Sequence, residues 1–258
     1  MGIIEKQATK NAIYSYLGAG LGFLTVLWST HLLNPDEYGL TRILISVSAL
    51  FSQFSTLGFN AVTVRFFPYF RNKEKGHHGY LFYGIITTLI GFLLCFLCYT
   101  IFKDQLISSN QEKSKLFVDY LFYLMPLTLF TLFFGLFDYY LRACYSSVIG
   151  SSAKDVTQRI LILASLFLYF TKIIDFNTFV LLFVASTCIP TLLLLYYIIN
   201  LGEWHIKPVK GFVSKELRKD MIKLSLFSIL SGGAGVLITN IDIIKILNMN
   251  FNFTMIPS

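Results

Sequence analysis

From residue 40 to residue 67 the chain is almost without charge. Only small or neutral polar residues, Gly58 and, toward its ends, Arg42 and Arg65 interrupt the apolar side chains. The run exceeds the roughly 20 residues that carry a helix across a bilayer. A segment inside hydrocarbon must satisfy its own backbone N–H and C=O groups, so helix is the form open to it. It opens at Asn34-Pro35-Asp36-Glu37-Tyr38-Gly39, an acidic turn that ends one helix and starts the next. It closes at Pro68 and a basic loop running from Arg71 through Lys73 and Lys75 to His77 and His78.

The rest of the chain repeats this pattern. Apolar runs predict helices over residues 12–33, 40–59 with an amphipathic continuation to 70, 79–102, 116–141, 156–174, 178–201 and 224–247. Polar loops fall at 103–115 and 202–223, and an Asn-rich tail at 248–258 carries no further helix. Charged residues make up 14% of the chain, against about a quarter in a soluble domain. The fold class is therefore an all-α membrane protein of seven predicted spans. Pro126 predicts a kink in the fourth helix. Gly18, Gly20 and Gly22 predict close helix packing on the first.

The net charge is +7, but the basic residues sit in loops, so topology rather than nucleic acid accounts for them. Counted on alternating sides, fifteen Lys and Arg share the side of the N-terminus and five the other, with Lys245 at the far end of the seventh helix. That asymmetry predicts a cytoplasmic N-terminus. Cys95 and Cys98 form a CxxC, yet they lie inside an apolar run and read as buried thiols. His77 and His78 read as a solvated loop pair. No nucleophile–base set, phosphate loop, cofactor site or metal-ligand spacing is present in the sequence.

Three segments carry a family resemblance. The first helix begins Asn11-Ala12-Ile13-Tyr14-Ser15-Tyr16-Leu17-Gly18, and the first turn reads Leu33-Asn34-Pro35-Asp36-Glu37-Tyr38-Gly39-Leu40. The second helix ends Leu57-Gly58-Phe59-Asn60-Ala61-Val62-Thr63-Val64-Arg65-Phe66-Phe67-Pro68. In order and spacing these resemble Wzx-type polysaccharide (O-antigen) flippases of the multidrug/oligosaccharidyl-lipid/polysaccharide exporter superfamily. The resemblance implies two six-helix lobes around a central cavity. It also implies passage of an undecaprenyl-diphosphate-linked oligosaccharide, as in lipopolysaccharide assembly, across the bacterial inner membrane by alternating access. It covers nearly all of this chain but about half of a full-length member. The expected division is a six-helix lobe at 1–201, a basic inter-lobe loop at 202–223, and the first helix of a second lobe with an aberrant tail at 224–258. A seventh helix without its lobe is expected to pack less well, and the chain is expected to be an incomplete form. Implied partners are the lipid-linked oligosaccharide, membrane lipid and other glycan-assembly membrane proteins.

A diphosphate headgroup needs cations, and arginine suits it through its fork of donors. Charges in membrane helices are costly and face protein or water. Arg42, Arg65 and Arg142 are the cationic candidates, each with interfacial anchoring as the alternative. Arg159 reads as an anchor at the start of the fifth helix. Ser48, Ser52 and Gln53, with Ser55 and Thr56, give the second helix a polar face. Two readings stay open for it: the wall of a wet cavity beside the first helix, or interhelix hydrogen bonds. Asp119, Asp138 and Asp242 are candidates for a coupling proton or cation, and Asp138 stands i,i+4 from Arg142, where the two can pair. Two other classes compete. A drug/cation antiporter of the same superfamily needs an acidic, aromatic cavity. A glycan polymerase or ligase needs a large outward loop, and 103–115 offers neither His nor Arg.

Overall fold

The computed structural model describes residues 3–110, 115–209 and 211–239. Asp242, Lys245 and the Asn-rich tail lie outside the described residues, as do Lys113 and Lys210. Ten α-helices follow in order: α1 Ile3–Leu32, α2 Pro35–Ser55, α3 Phe59–Phe70, α4 Tyr80–Asn110, α5 Lys115–Asp119, α6 Leu124–Ala143, α7 Val148–Ser151, α8 Gln158–Phe170, α9 Phe176–Asn200 and α10 Lys215–Thr239. No strand occurs among the described residues.

The acidic turn after α1 acts as predicted. Asn34 caps α2 in a capping box with Glu37, whose carboxylate accepts the Asn34 N–H at 2.9 Å, and Pro35 fills the first turn, where its missing N–H costs nothing. The long second run is two helices. Gly58, at φ 72°, is the left-handed hinge between α2 and α3, which meet at 48°.

Several predicted boundaries are corrected. α4 continues to Asn110, through the first part of the segment read as loop. The fourth predicted helix breaks at a 3₁₀ turn, Leu121–Tyr123, rather than at Pro126, which sits in the first turn of α6 where proline is tolerated. α10 begins nine residues early, at Lys215. The fifth helix begins at Val148 instead of 156, because a π-helical turn, Ser152–Thr157, joins α7 to α8 without a break. Among the described residues, four helices are long and apolar enough to span a bilayer, five with the bent α2–α3 pair; the seventh predicted span, 224–247, runs past the described residues. The fifth predicted helix carries three charges, Lys154, Asp155 and Arg159, within 148–170.

α6 is the centre of the packing, against α2, α9, α3 and α4. One apolar cluster, with Leu40, Leu44, Leu124, Leu127, Leu166 and Phe179, fills one end of the bundle. A second, with Phe67, Phe70, Tyr80, Leu136, Tyr140 and Leu194, fills the other. Pro190 frees backbone acceptors in α9, and the adjacent Thr191 hydroxyl bridges to the Phe130 carbonyl of α6 at 2.8 Å. α10 docks by one face on α2 and α3 and leaves Leu226, Phe227, Leu230 and Ile238 exposed.

Candidate functional site

α1 and the helical run 148–170 lie side by side and point the same way. At their starts Gln7 donates to the Tyr145 carbonyl, and Asn11 Nδ2 donates to Ser147 Oγ at 2.8 Å. Two turns farther on, Gly18 faces Asp155; one more turn along, Gly22 faces Arg159. The glycines are what allow the approach. A Cβ on Gly18 would lie 2.5 Å from Asp155 Cβ, and one on Gly22 would lie 1.3 Å from Arg159 Nη1. The guanidinium thus occupies the place of the missing side chain. The π-turn widens the helix just before this point and sets the direction of Lys154 and Asp155; such turns recur at functional sites.

Depth follows from the rise of the helix. The apolar part of α1 starts at Ala12. Gly18 is then about 9 Å and Gly22 about 15 Å along the axis. The second value is the middle of a hydrocarbon core about 30 Å thick. Arg159, which the sequence placed at a helix start as an anchor, instead lies a full three turns into a helical run that begins at Val148, opposite the middle of the apolar part of α1. Among the described residues its guanidinium has no carboxylate within ion-pair distance.

More charge gathers on the α6 side of the same run. Arg142 Nε donates to Asp138 Oδ2 at 2.8 Å, the i,i+4 pair that the spacing allowed. Asp138 is buried and its Oδ1 has no hydrogen-bond partner. That oxygen rests on Gly150, where a Cβ would be 1.7 Å away. Lys154 reaches over the Phe134 ring, 5.3 Å from its centroid, a cation–π contact. Three cations and two acids thus line the π-turn on its two sides, with an excess of one positive charge.

The remaining sequence candidates are placed elsewhere. Arg42 and Arg65 are exposed on α2 and α3, each beside an aromatic ring, Tyr38 and Phe66. Ser48 and Ser52 are buried, and Ser48 spends its proton on the Ile45 carbonyl of its own helix. Gln53 lies against Gly232 of α10, where a Cβ would be 2.4 Å from its Nε2. α2 therefore turns its polar face to α6, α4 and α10 rather than along α1. Asp119 is exposed at the end of α5, and Asp242 lies outside the described residues. The signal that could have located Arg159 is the Gly18–Gly22 spacing, which marks a close helix contact on α1.

A second polar cluster closes one end of the bundle. Gly76, His77, His78 and Gly79 have φ of 56°, 49°, 51° and 71°, one left-handed turn. For the two histidines this conformation costs about 1–2 kcal/mol each. The turn buries His77, so the pair is not solvated as the sequence suggested. Glu203 binds His77 Nε2 at 2.7 Å and Lys73 Nζ at 3.2 Å, and its carbonyl accepts the Tyr140 hydroxyl at 3.0 Å. His77, Glu203 and Cys144 bring ligand atoms within 4.8 Å of one another, as a metal site would. The hydrogen bonds fit a clasp instead. His77 Nδ1 accepts the Asn72 N–H at 3.1 Å, so a neutral ring carries its proton on Nε2 and has no lone pair there for a metal. Burial, then the Glu203 charge, pushes the Cys144 thiol up to about 12.

These features define a multi-pass, all-α membrane protein with a cluster of ionisable side chains between its apolar helices. The family model "Polysaccharide biosynthesis protein" matches residues 6–250, and the chain belongs to this family, which is that of the Wzx-type flippases. Its members are typically transporters rather than enzymes, with a role in polysaccharide export. No curated protein and no solved structure is detectably similar to it.

Proposed function

We propose that this chain takes part in flipping an undecaprenyl-diphosphate-linked oligosaccharide across the bacterial inner membrane by alternating access, with its N-terminus in the cytoplasm. The observation that carries the reading is Arg159, which among the described residues has no carboxylate within ion-pair distance and is seated against Gly22, opposite the middle of the apolar part of α1. A diphosphate is the ligand chemistry that a lone guanidinium fork at this depth recognises best. Lys154 and Arg142 mark a path for the same headgroup between the bundle end and Arg159. Asp138 suits a coupling proton or cation better than exposed Asp119, since its Oδ1 is buried and unpartnered. The sugar crosses beside these charges, and other glycan-assembly membrane proteins supply and receive it.

Binding tests this directly. The purified chain in nanodiscs is titrated with polyprenyl-diphosphate-linked oligosaccharide and, separately, with a lipophilic drug cation. The proposal expects saturable glycolipid binding that Arg159→Gln weakens about 10- to 100-fold, the loss of a charge-assisted hydrogen bond of about 1.5–3 kcal/mol. Binding of the drug cation alone would favour the antiporter and overturn the proposal.

A further inference from the structure

The crevice between α3, α4 and α10 is an apolar groove of about 380 Å³. α3 and α10 run along it in opposite directions. The end of α3 packs on the segment that leads into α10, with the Phe70 and Phe212 ring centroids 5.1 Å apart. The start of α3 packs farther along α10, where Gly58 meets the Ser225 carbonyl. From Phe70 to Phe59 on α3, and from Arg218 to Ile229 on α10, the groove is about 16 Å long by helical rise. One leaflet of a hydrocarbon core about 30 Å thick is about 15 Å deep.

The inner end is shut. Leu57 closes it at the α2–α3 bend, and there the α2 backbone lies on α4, with the Ser55 carbonyl oxygen filling the place of a Cβ on Gly91. A separate groove of about 550 Å³ lies past that contact, between α4 and α2, and its lining carries no charge. The outer end of the first groove differs. Arg218, the one charged residue of its lining, is exposed there, and among the described residues no carboxylate lies within ion-pair distance of it. Lys215 stands one turn before Arg218, and Ile222, Ser225 and Ile229 follow at helical spacing, so these residues share one face of α10. Glu216 and Asp220, two residues to either side of Arg218, fall on the opposite face.

We infer that this groove is a site for one anionic phospholipid, with an acyl chain between α10 and α4 and the phosphate at Arg218 and Lys215. Length selects a lipid of one leaflet, because the groove ends where that leaflet ends. Charge selects an anionic lipid over a zwitterionic one. Both fill the apolar part alike, but a zwitterionic headgroup brings an amine to two cations that repel it, and an anionic headgroup offers them the phosphate alone. α10 docks directly on α2 and α3, and the acyl chain fills the space toward α4. The bound lipid thereby ties α10 to the bundle.

Lipid retention tests the site. The full chain, purified in detergent and stripped of lipid, is titrated with phosphatidylglycerol or phosphatidylcholine of the same acyl chains, and bound lipid is counted by native mass spectrometry. One phosphatidylglycerol per chain is expected, about tenfold tighter than phosphatidylcholine. Arg218→Gln should abolish that preference and Arg218→Lys should keep most of it. Lys75→Gln, which removes an exposed cation outside the groove, should leave it unchanged. Leu226→Trp, exposed and in the groove, should weaken phosphatidylglycerol severalfold by filling the place of the chain, whereas Leu230→Trp, exposed and outside it, should not. Equal binding of the two lipids, or an equal loss with Lys75→Gln, would mean diffuse attraction to a basic surface and overturns the site. Tighter binding of polyprenyl phosphate than of phosphatidylglycerol, lost with Arg218→Gln, would give the groove another occupant and overturns it too.

Discussion

Replacing Gly22 or Gly18 by alanine separates the role of Arg159 from the packing that holds it. At Gly22 the added methyl would sit 1.3 Å from Arg159 Nη1, the free end of a flexible side chain. Carbon contacts settle near 3.5 Å, so the guanidinium must retreat by about 2 Å while both backbones stay in place. Helix stability rises by about 0.5–1 kcal/mol, because alanine loses less backbone freedom than glycine. At Gly18 the methyl would meet Asp155 Cβ at 2.5 Å and its carbonyl oxygen at 2.9 Å, and neither can turn aside. Overpacking of this kind costs about 1–3 kcal/mol, more than the gain in propensity. The two variants should therefore divide. Gly22→Ala keeps or raises the thermal unfolding temperature in detergent and loses about 10- to 100-fold in glycolipid affinity, as Arg159→Gln does. Gly18→Ala lowers the unfolding temperature. If Gly22→Ala binds glycolipid normally, a guanidinium displaced by 2 Å does not matter and Arg159 is not the headgroup site.

Topology is read by labelling cysteines placed at two loop positions: Lys73→Cys should react from the cytoplasm and Lys172→Cys from outside, and the reverse pattern would invert the orientation. Gly58→Ala should destabilise by about 2–5 kcal/mol in chemical denaturation, since φ of 72° disfavours a side chain and its Cβ would lie 2.3 Å from the Ser225 carbonyl of α10; a loss below about 1 kcal/mol would mean that α10 does not pack there. With its thiol pushed up to about 12, Cys144 should resist maleimide at pH 7 and gain reactivity only as the pH climbs toward that value, which a variant with Cys144 as the sole cysteine reports by mass; fast labelling at neutral pH would place it outside the clasp. Glu203→Gln should loosen the segment 202–209 in hydrogen exchange, because Lys73 loses its counter-charge, and unchanged protection would leave the clasp without a structural role.

The helical, membrane-spanning character of this chain was legible in its sequence because bilayer hydrocarbon imposes one rule on every segment: a long apolar run must satisfy its backbone internally, as residues 40–67 do. The turn at Asn34–Glu37 and the Asp138–Arg142 pair were legible for the same local reason, since caps and i,i+4 contacts depend on near neighbours. What lies across helices was not. Gly150, Ser151, Ser152, Lys154 and Asp155 read as a loop because small and charged residues look like one, and only contact with α1 and α6 shows that they form α7 and the π-turn that lead without a break to Arg159. His77 and Glu203 stand 126 residues apart, and no local pattern joins them. The apolar face of α4 reads in sequence as plain apolar helix; the two grooves along it exist only because the α2–α3 bend and α10 supply their walls. Local chemistry fixes which segments cross the bilayer, and packing between segments distant in sequence decides which side chains meet there.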